Sequence, residues 1–152
     1  MNTSRITMYA KLIRWDKPIG NLLLLWPTLA AVWLAGKGQP HAVTLAVFIA
    51  GVFIMRAAGC IINDFADRKW DGKVTRTKDR PLATGEISTV EALLLLAVFG
   101  LAAFSLLFFL NLYTIIMAVI AAVLAAVYPF LKRWMSLPQI GLGFAFNWGI
   151  LM

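Results

Sequence analysis

The sequence predicts an all-α fold, a polytopic bundle of transmembrane helices. Hydrophobic residues make up 61% of the 152 residues, and the mean hydropathy is +0.81. Soluble domains average about 45–50% apolar residues even when glycine is counted, and a chain of this size cannot bury so much apolar surface in one core. The lipid bilayer must therefore cover part of that surface, and we describe residues 1–152 as a single membrane domain.

The apolar residues are concentrated in five segments separated by short polar stretches. The segments cover residues 19–36, 43–62, 91–110, 112–130 and 137–152. The first four have about the length that a hydrocarbon core demands, which is ~20 residues with a range of ~17–25. The fifth is shorter and still apolar at Met152, so we expect the sequence to be the N-terminal part of a longer protein. Residues 63–89 are expected to form the loop between the second and third segments.

The basic residues indicate how the segments are oriented. All 14 Lys and Arg residues except Lys37 and Arg56 lie before the first segment, between the second and third, or between the fourth and fifth. The positive-inside rule places these stretches, including the N-terminus and the 63–89 loop, in the cytoplasm. The net charge of +7 therefore reflects topology and does not indicate a nucleic-acid partner. The single cysteine, Cys60, excludes an internal disulfide.

Acidic residues follow directly on the second segment. If its helix continues beyond the membrane, Asn63, Asp67 and Asp71 form one stripe along it, and Asp64 lies beside the stripe. Mg²⁺ commonly binds one or two carboxylates together with phosphate oxygens and water. These four residues are therefore predicted Mg²⁺ ligands. Taken alone, the pattern is equally compatible with a solvated helix end whose carboxylates pair with neighbouring basic residues.

Cationic residues come next along the chain. They are Lys73, Arg76, Lys78 and Arg80. Carboxylates that can hold a metal, followed by several cationic donors, form a combination that suits a diphosphate. We therefore expect Lys78 and Arg80 to take part in substrate binding.

Further candidates lie within or at the ends of the apolar segments. Arg56 lies two helical turns before Asn63, where a charge costs ~2.5–3.5 kcal/mol even on insertion scales. We expect it to face an interior cavity, with snorkelling to the interface as the alternative. Tyr128 and Lys132 lie four residues apart at the cytoplasmic end of the fourth segment. An interfacial aromatic residue and a topology-setting lysine are also ordinary there.

Several motifs resemble the UbiA superfamily of intramembrane prenyltransferases. Residues 63–71, NDFADRKWD, match its N-D-x-x-D-x-x-x-D motif, and residues 128–132, YPFLK, are similar to its Y-x-x-x-K motif. Three longer stretches resemble the bacterial 4-hydroxybenzoate polyprenyltransferases of ubiquinone synthesis. They are RWDKPIGNLLLLWPT, RAAGCIINDFADRKWDGKVTRTKDRPLATG and YPFLKRWMSLPQ. The similarity runs from about Lys11 to Met152.

The resemblance implies a fold, a reaction and the roles of several residues. It implies nine membrane helices, about five of them in this sequence, around a cavity that opens sideways to lipid. The implied reaction transfers a polyprenyl group from its diphosphate to the ring of 4-hydroxybenzoate at the bacterial inner membrane. The stripe would hold Mg²⁺ with Asp67 and Asp71 as catalytic residues, Tyr128 and Lys132 would bind the diphosphate, and Arg56 would lie in the substrate pocket. The family's second Asp-rich motif does not occur in this sequence, in agreement with the expected truncation.

Two alternatives remain open from the sequence. The acidic and basic residues after the second segment loosely resemble a loop of major-facilitator carriers, so the chain could be half of a secondary transporter. Asn63 and Asp64 at the membrane edge argue against that interpretation. Within the UbiA superfamily, haem farnesyltransferases and the menaquinone and chlorophyll enzymes share the first Asp motif. The LLLLWPT and RPLATG stretches favour 4-hydroxybenzoate as the acceptor.

Overall fold

The computed structural model of the chain describes residues 4–131 and 137–152. All regular structure in these ranges is helical, which confirms the predicted all-α class. The helices are α1 (Arg5–Leu12), α2 (Ile19–Ala35), α3 (Ala42–Asp71), α4 (Pro81–Thr84), α5 (Thr89–Leu106), α6 (Leu112–Leu131) and α7 (Pro138–Asn147). Short 3₁₀ turns follow α5 at Leu107–Phe109 and α7 at Trp148–Ile150.

Several of these helices are suited to a lipid environment. Within the described part of the chain, three helical stretches are long and apolar enough to cross a membrane: Ala42–Asp71, Thr89–Phe109 and Leu112–Leu131. The shorter α2 is also apolar. Large side chains on these helices are exposed, such as Leu101 and Phe108, and so much exposed apolar surface requires lipid or protein to cover it. The chain is a multi-pass membrane protein.

The helix α3 is the centre of the bundle. It packs against α2 on one side and α5 and α6 on others, and it also contacts α1 and α4 at its C-terminal end. The helix continues without interruption from its apolar part to Asp71, with Gly72 as the residue that follows it. The continuation on which the acidic stripe depends is therefore present.

Two short helices that the sequence analysis did not anticipate organise the polar end of the bundle. We use this name for the end formed by α1, α4 and residues 63–89. Met8 and Leu12 of α1 pack in a small core with Ile61 of α3 and Leu82 of α4. Residues 63–89, expected to be a loop, thus consist of the last turns of α3, a turn region and α4. This core holds α1 and α4 against α3.

Local sequence signals fix the start of α5 beside this core. Ser88 caps the helix by accepting a hydrogen bond from the backbone N–H of Glu91, and the Glu91 carboxylate accepts one from the backbone N–H of Ser88. The same carboxylate accepts a hydrogen bond from Tyr9 of α1 at 3.2 Å. Just before it, α4 ends at Gly85, whose φ of 78° lies in the left-handed region that glycine adopts readily. The Tyr9–Glu91 hydrogen bond thus connects α1 to the start of α5.

Candidate functional site

A cavity of about 1040 Å³ lies beside α3. Most of its lining is apolar and comes from α3, α5 and α6, with further contributions from α2 and α7. Polar and charged lining residues are Arg14, Thr28, Arg56, Asn63, Asp67, Asp71, Arg76, Thr77, Arg80 and Tyr128. A mostly apolar cavity into which a few polar groups converge is the usual form of a small-molecule site.

All three residues of the acidic stripe line this cavity. Asn63, Asp67 and Asp71 lie on successive turns of α3, so they share one face of the helix. The described residues contain no group of three or more His, Cys, Asp or Glu side chains arranged to hold a metal. The stripe supplies two carboxylates and one amide, and Mg²⁺ often takes only one or two carboxylates when phosphate oxygens and water complete its shell. The donor set fits that kind of cation.

Asp64 lies in a different environment from the stripe. It is 1% exposed and is absent from the residues that line the cavity. Its Oδ1 atom is 2.6 Å from Nη2 of Arg14 and 3.0 Å from Nη1 of Arg80. A buried carboxylate paired with two guanidinium groups has its charge compensated within the protein. This geometry favours a structural ion pair over the metal ligation expected for Asp64.

Arg80 connects this ion pair to the stripe. Its Nη1 atom is also 2.8 Å from Oδ2 of Asp71, so one guanidinium serves two carboxylates that lie about two turns apart on α3. The turn region is further attached to α3 where the Thr77 hydroxyl donates a hydrogen bond to the backbone carbonyl of Asp71 at 2.9 Å. We call Arg14, Asp64, Arg80 and Asp71 the ion-pair network. Through it, the connection after α1 and the turn after α3 both position the Asp71 carboxylate.

The sequence analysis missed Arg14 as a member of this site. Arg14 has a φ of 57°, which is uncommon for a residue other than glycine, and its side chain lines the cavity. Burial lowers the pKa of Arg14, but the charge of Asp64, its hydrogen bond with Arg14 and further acidic groups nearby together outweigh burial, so the pKa is raised and the guanidinium stays charged. Its partner lies 50 residues away, and no local sequence pattern indicates such a pair.

The cationic residues after α3 do not all reach the cavity. Arg76 and Arg80 line it, whereas Lys78 is exposed and is not among the lining residues. The structure therefore brings Arg80 to the site and leaves Lys78 outside it. The turn between Gly72 and Arg80 directs neighbouring side chains to different sides, so that Lys78 lies away from the cavity that Arg76 and Arg80 line.

Arg56 lines the cavity on the face of α3 that also carries the stripe. Its guanidinium carbon is 5.7 Å from the centre of the Phe146 ring of α7, a distance typical of a cation–π contact. On another side, the guanidinium lies close to the backbone of Gly20 in α2. Within residues 4–131 and 137–152, Arg56 takes part in none of the salt bridges. A full charge beside the cavity thus has an aromatic neighbour and no carboxylate partner in that part of the chain.

Of the two candidate residues at the end of the fourth segment, Tyr128 and Lys132, the structure describes only Tyr128. Tyr128, near the C-terminal end of α6, is half-buried and lines the cavity together with Pro129. Lys132 lies outside the residues that the structure describes. The structure therefore brings together Arg56, the stripe, Arg80 and Tyr128 around one cavity.

The fold and the cavity define a class of protein: a polytopic helical membrane protein with carboxylates and guanidinium groups at one end of an apolar cavity. The sequence of residues 24–152 matches the family model of the UbiA prenyltransferase family. The chain belongs to this family. The resemblance seen in the sequence motifs is thereby confirmed, and the transporter alternative is set aside.

Curated relatives are similar over nearly the whole chain. A protein of Coxiella burnetii named 4-hydroxybenzoate octaprenyltransferase is 57% identical over 148 residues, which are 97% of this chain and 52% of that protein. Proteins of the same name from Pectobacterium atrosepticum and Cupriavidus pinatubonensis are 59% and 53% identical over 95% and 99% of this chain. The chain spans about half the length of these relatives. No solved structure matches it significantly.

Proposed function

We propose that the protein transfers a polyprenyl group from polyprenyl diphosphate to the ring of 4-hydroxybenzoate, a step in ubiquinone synthesis. One observation carries the proposal: a single apolar cavity presents the acidic stripe and Arg80 at one end and Arg56 deeper along the same helix. The relatives named 4-hydroxybenzoate octaprenyltransferase support the choice of substrates.

The polar end of the cavity is the proposed diphosphate site. Asn63, Asp67 and Asp71 would hold Mg²⁺, which supplies positive charge to the leaving diphosphate oxygens. Arg80 would donate hydrogen bonds to the diphosphate on the other side, and Tyr128 would donate one from its hydroxyl group. Lys132 stays a predicted diphosphate ligand from the Y-x-x-x-K motif. Lys78, which is exposed, is not included in the proposed site.

Arg56 is the proposed site for the carboxylate of the aromatic acid. Seven residues separate it from Asn63 on the continuous α3, which corresponds to an axial distance of about 10 Å. An aromatic acid bound there would present its ring towards the reacting carbon beneath the diphosphate. A guanidinium group can bind a carboxylate through two parallel hydrogen bonds, and a dry cavity strengthens this pair.

The apolar remainder of the cavity would protect the reaction. The C–O bond between the prenyl group and its diphosphate breaks, and pyrophosphate keeps the electron pair. The ring carbon ortho to the hydroxyl group forms the new C–C bond and then loses its proton to Asp67, Asp71 or pyrophosphate. An allylic cation is quickly hydrolysed in water, so walls that exclude water favour capture by the ring.

The location that we propose follows from the charge distribution. The stretches rich in Lys and Arg, including the polar end of the bundle, would face the cytoplasm, and the membrane would be the bacterial inner membrane. The lipid-soluble prenyl donor would then enter from the bilayer. The water-soluble acid would enter from the polar end.

Prenyl transfer in membranes that contain the full-length protein tests the proposal. Labelled 4-hydroxybenzoate, polyprenyl diphosphate and varied Mg²⁺ should give a lipid-soluble labelled product. Asp67→Asn and Asp71→Asn should each lower the rate at least about 100-fold, because each removes a negatively charged ligand of the Mg²⁺ that would neutralise the leaving diphosphate. Asp79→Asn is the matched control, since Asp79 is an exposed carboxylate in the adjacent turn and should keep the full rate. Product formation at normal rates by both stripe variants would refute the assignment.

A further inference from the structure

Gly20 occupies the position on α2 that faces the guanidinium group of Arg56. A Cβ atom built at Gly20 would lie 2.5 Å from Nη2, 2.9 Å from Nε and 3.0 Å from Cζ of Arg56. Three atoms of one planar group thus approach a single backbone position. The guanidinium lies against the backbone of α2 in space that any larger residue would fill.

Glycine is required at position 20 because the Arg56 guanidinium approaches the backbone closely. The backbone conformation itself does not require it. The backbone of Gly20 is outside the left-handed region, since positive φ values among the glycines occur at Gly38 and Gly85. Gly20 lies in the first turn of α2, where alanine can adopt the same backbone conformation. Alanine is also the better helix former, by about 1 kcal/mol in a helix interior. Neither backbone strain nor helix propensity therefore opposes an alanine at this position.

The contacts on the other side restrict where the guanidinium could move. The ring of Phe146 lies 5.7 Å from the guanidinium carbon, so α2 and α7 both limit its position. An added Cβ would displace the end of the Arg56 side chain, which is flexible enough to move without disrupting the bundle. The fork of N–H groups would then point in a different direction relative to the cavity.

We infer that Gly20 is a positioning residue for the acceptor substrate: by lacking a side chain, it sets the place and orientation of the Arg56 guanidinium that binds the aromatic carboxylate. The inference rests on the proposed function, because it requires Arg56 to bind the acid. Two parallel hydrogen bonds need the guanidinium plane to match the carboxylate. A displacement of about 1 Å can reduce catalysis by about 100-fold. A change at Gly20 should therefore weaken productive binding of the acid much more than binding of the prenyl diphosphate.

Steady-state kinetics of the full-length protein in membranes test this inference. We expect Gly20→Ala to raise the KM for 4-hydroxybenzoate by about 10- to 100-fold, while the KM for polyprenyl diphosphate changes less than about twofold. KM does not depend on the amount of folded enzyme, so a modest change in expression does not affect the result. Gly143→Ala in α7 is the matched control, since a Cβ there would meet no atom within 4 Å. It should leave both KM values unchanged.

Combining substitutions separates positioning from a general packing effect. If Gly20 acts through Arg56, Gly20→Ala should add little in an Arg56→Ala background, because coupled residues are not additive. Gly20→Ala should also raise the KM for 4-hydroxybenzoate by a smaller factor in an Arg56→Lys background, since the ammonium group is smaller than the guanidinium group that the added Cβ meets. Equal losses in the presence and absence of the Arg56 side chain would overturn the inference.

The remaining outcomes distinguish this inference from the proposed function. If Arg56→Ala raises the KM for the acid and Gly20→Ala does not, Arg56 keeps its assigned place and the inference about Gly20 fails. If Arg56→Ala changes neither KM, the proposed acid site itself is wrong, and the inference falls with it. If Gly20→Ala does not accumulate, Gly20→Ala/Arg56→Lys should accumulate because the contact is relieved. Failure of both to accumulate would assign Gly20 to folding and would overturn the inference.

Discussion

Replacing Asp64 with asparagine removes a carboxylate that two arginines share. Asp64 is 1% exposed, while the side chains of Arg14 and Arg80 are 25% and 20% exposed. Removing one partner of a fully buried ion pair costs about 3–5 kcal/mol. Because both cations keep some contact with solvent and Arg80 keeps its pair with Asp71, we expect a smaller loss, about 1–3 kcal/mol.

Two measurements on this variant distinguish a structural carboxylate from a metal ligand. Thermal unfolding in detergent should show a melting temperature several degrees lower, since 1 kcal/mol corresponds to roughly 2–8 °C in small to medium-sized domains. The Mg²⁺ concentration that gives half the maximal rate of prenyl transfer should change less than about threefold, as expected for a group off the metal shell. Asp16→Asn, at an exposed carboxylate, serves as the control. An unchanged melting temperature together with a tenfold higher Mg²⁺ requirement would refute the reasoning and return Asp64 to the metal shell.

The remaining predictions concern topology and the two ends of the cavity. Cysteines introduced at Lys37 and Lys78, in a chain with Cys60 replaced by alanine, should react with impermeant thiol reagents from opposite sides of the membrane; reaction from one side would contradict the topology. Arg56→Ala should raise the KM for 4-hydroxybenzoate at least about tenfold, and Arg56→Lys should restore only part of the loss. Arg80→Ala should raise the KM for the prenyl diphosphate and lower the melting temperature, and an effect on only one would separate its two assigned roles.

Hydropathy made the membrane helices predictable from the sequence. A helix in lipid must satisfy its own backbone hydrogen bonds and expose apolar side chains. Apolar segments such as 91–110 and 112–130 can therefore be recognised as membrane helices from the sequence. The stripe was readable for a similar reason, since the spacing of Asn63, Asp67 and Asp71 places them on one face once the helix continues. Both inferences use only the periodicity of one helix.

Contacts between distant parts of the chain were not predictable in this way. Arg14 is 50 residues from its partner Asp64, and its charge had served only as a topology signal. Lys78 and Arg80 carry the same charge and lie two residues apart in the sequence, yet of these two the turn brings only Arg80 to the cavity. The close approach of Gly20 to Arg56 depends on how α2 packs against α3, and a glycine in a helix gives no indication of its neighbour.

The length of α3 determines where the two ends of the cavity lie relative to the bilayer. Its 30 residues correspond to about 45 Å at ~1.5 Å per residue, whereas the hydrocarbon core is ~30 Å thick. With its N-terminal end at one surface of that core, roughly the last ten residues of α3 extend into the lipid headgroup layer. Asp67 and Asp71 then lie where dissolved ions arrive directly from water, while Arg56 lies below the interface. In the proposed reaction, pyrophosphate would thus leave to the aqueous phase and the prenylated ring would leave into lipid, so the two products need not share an exit.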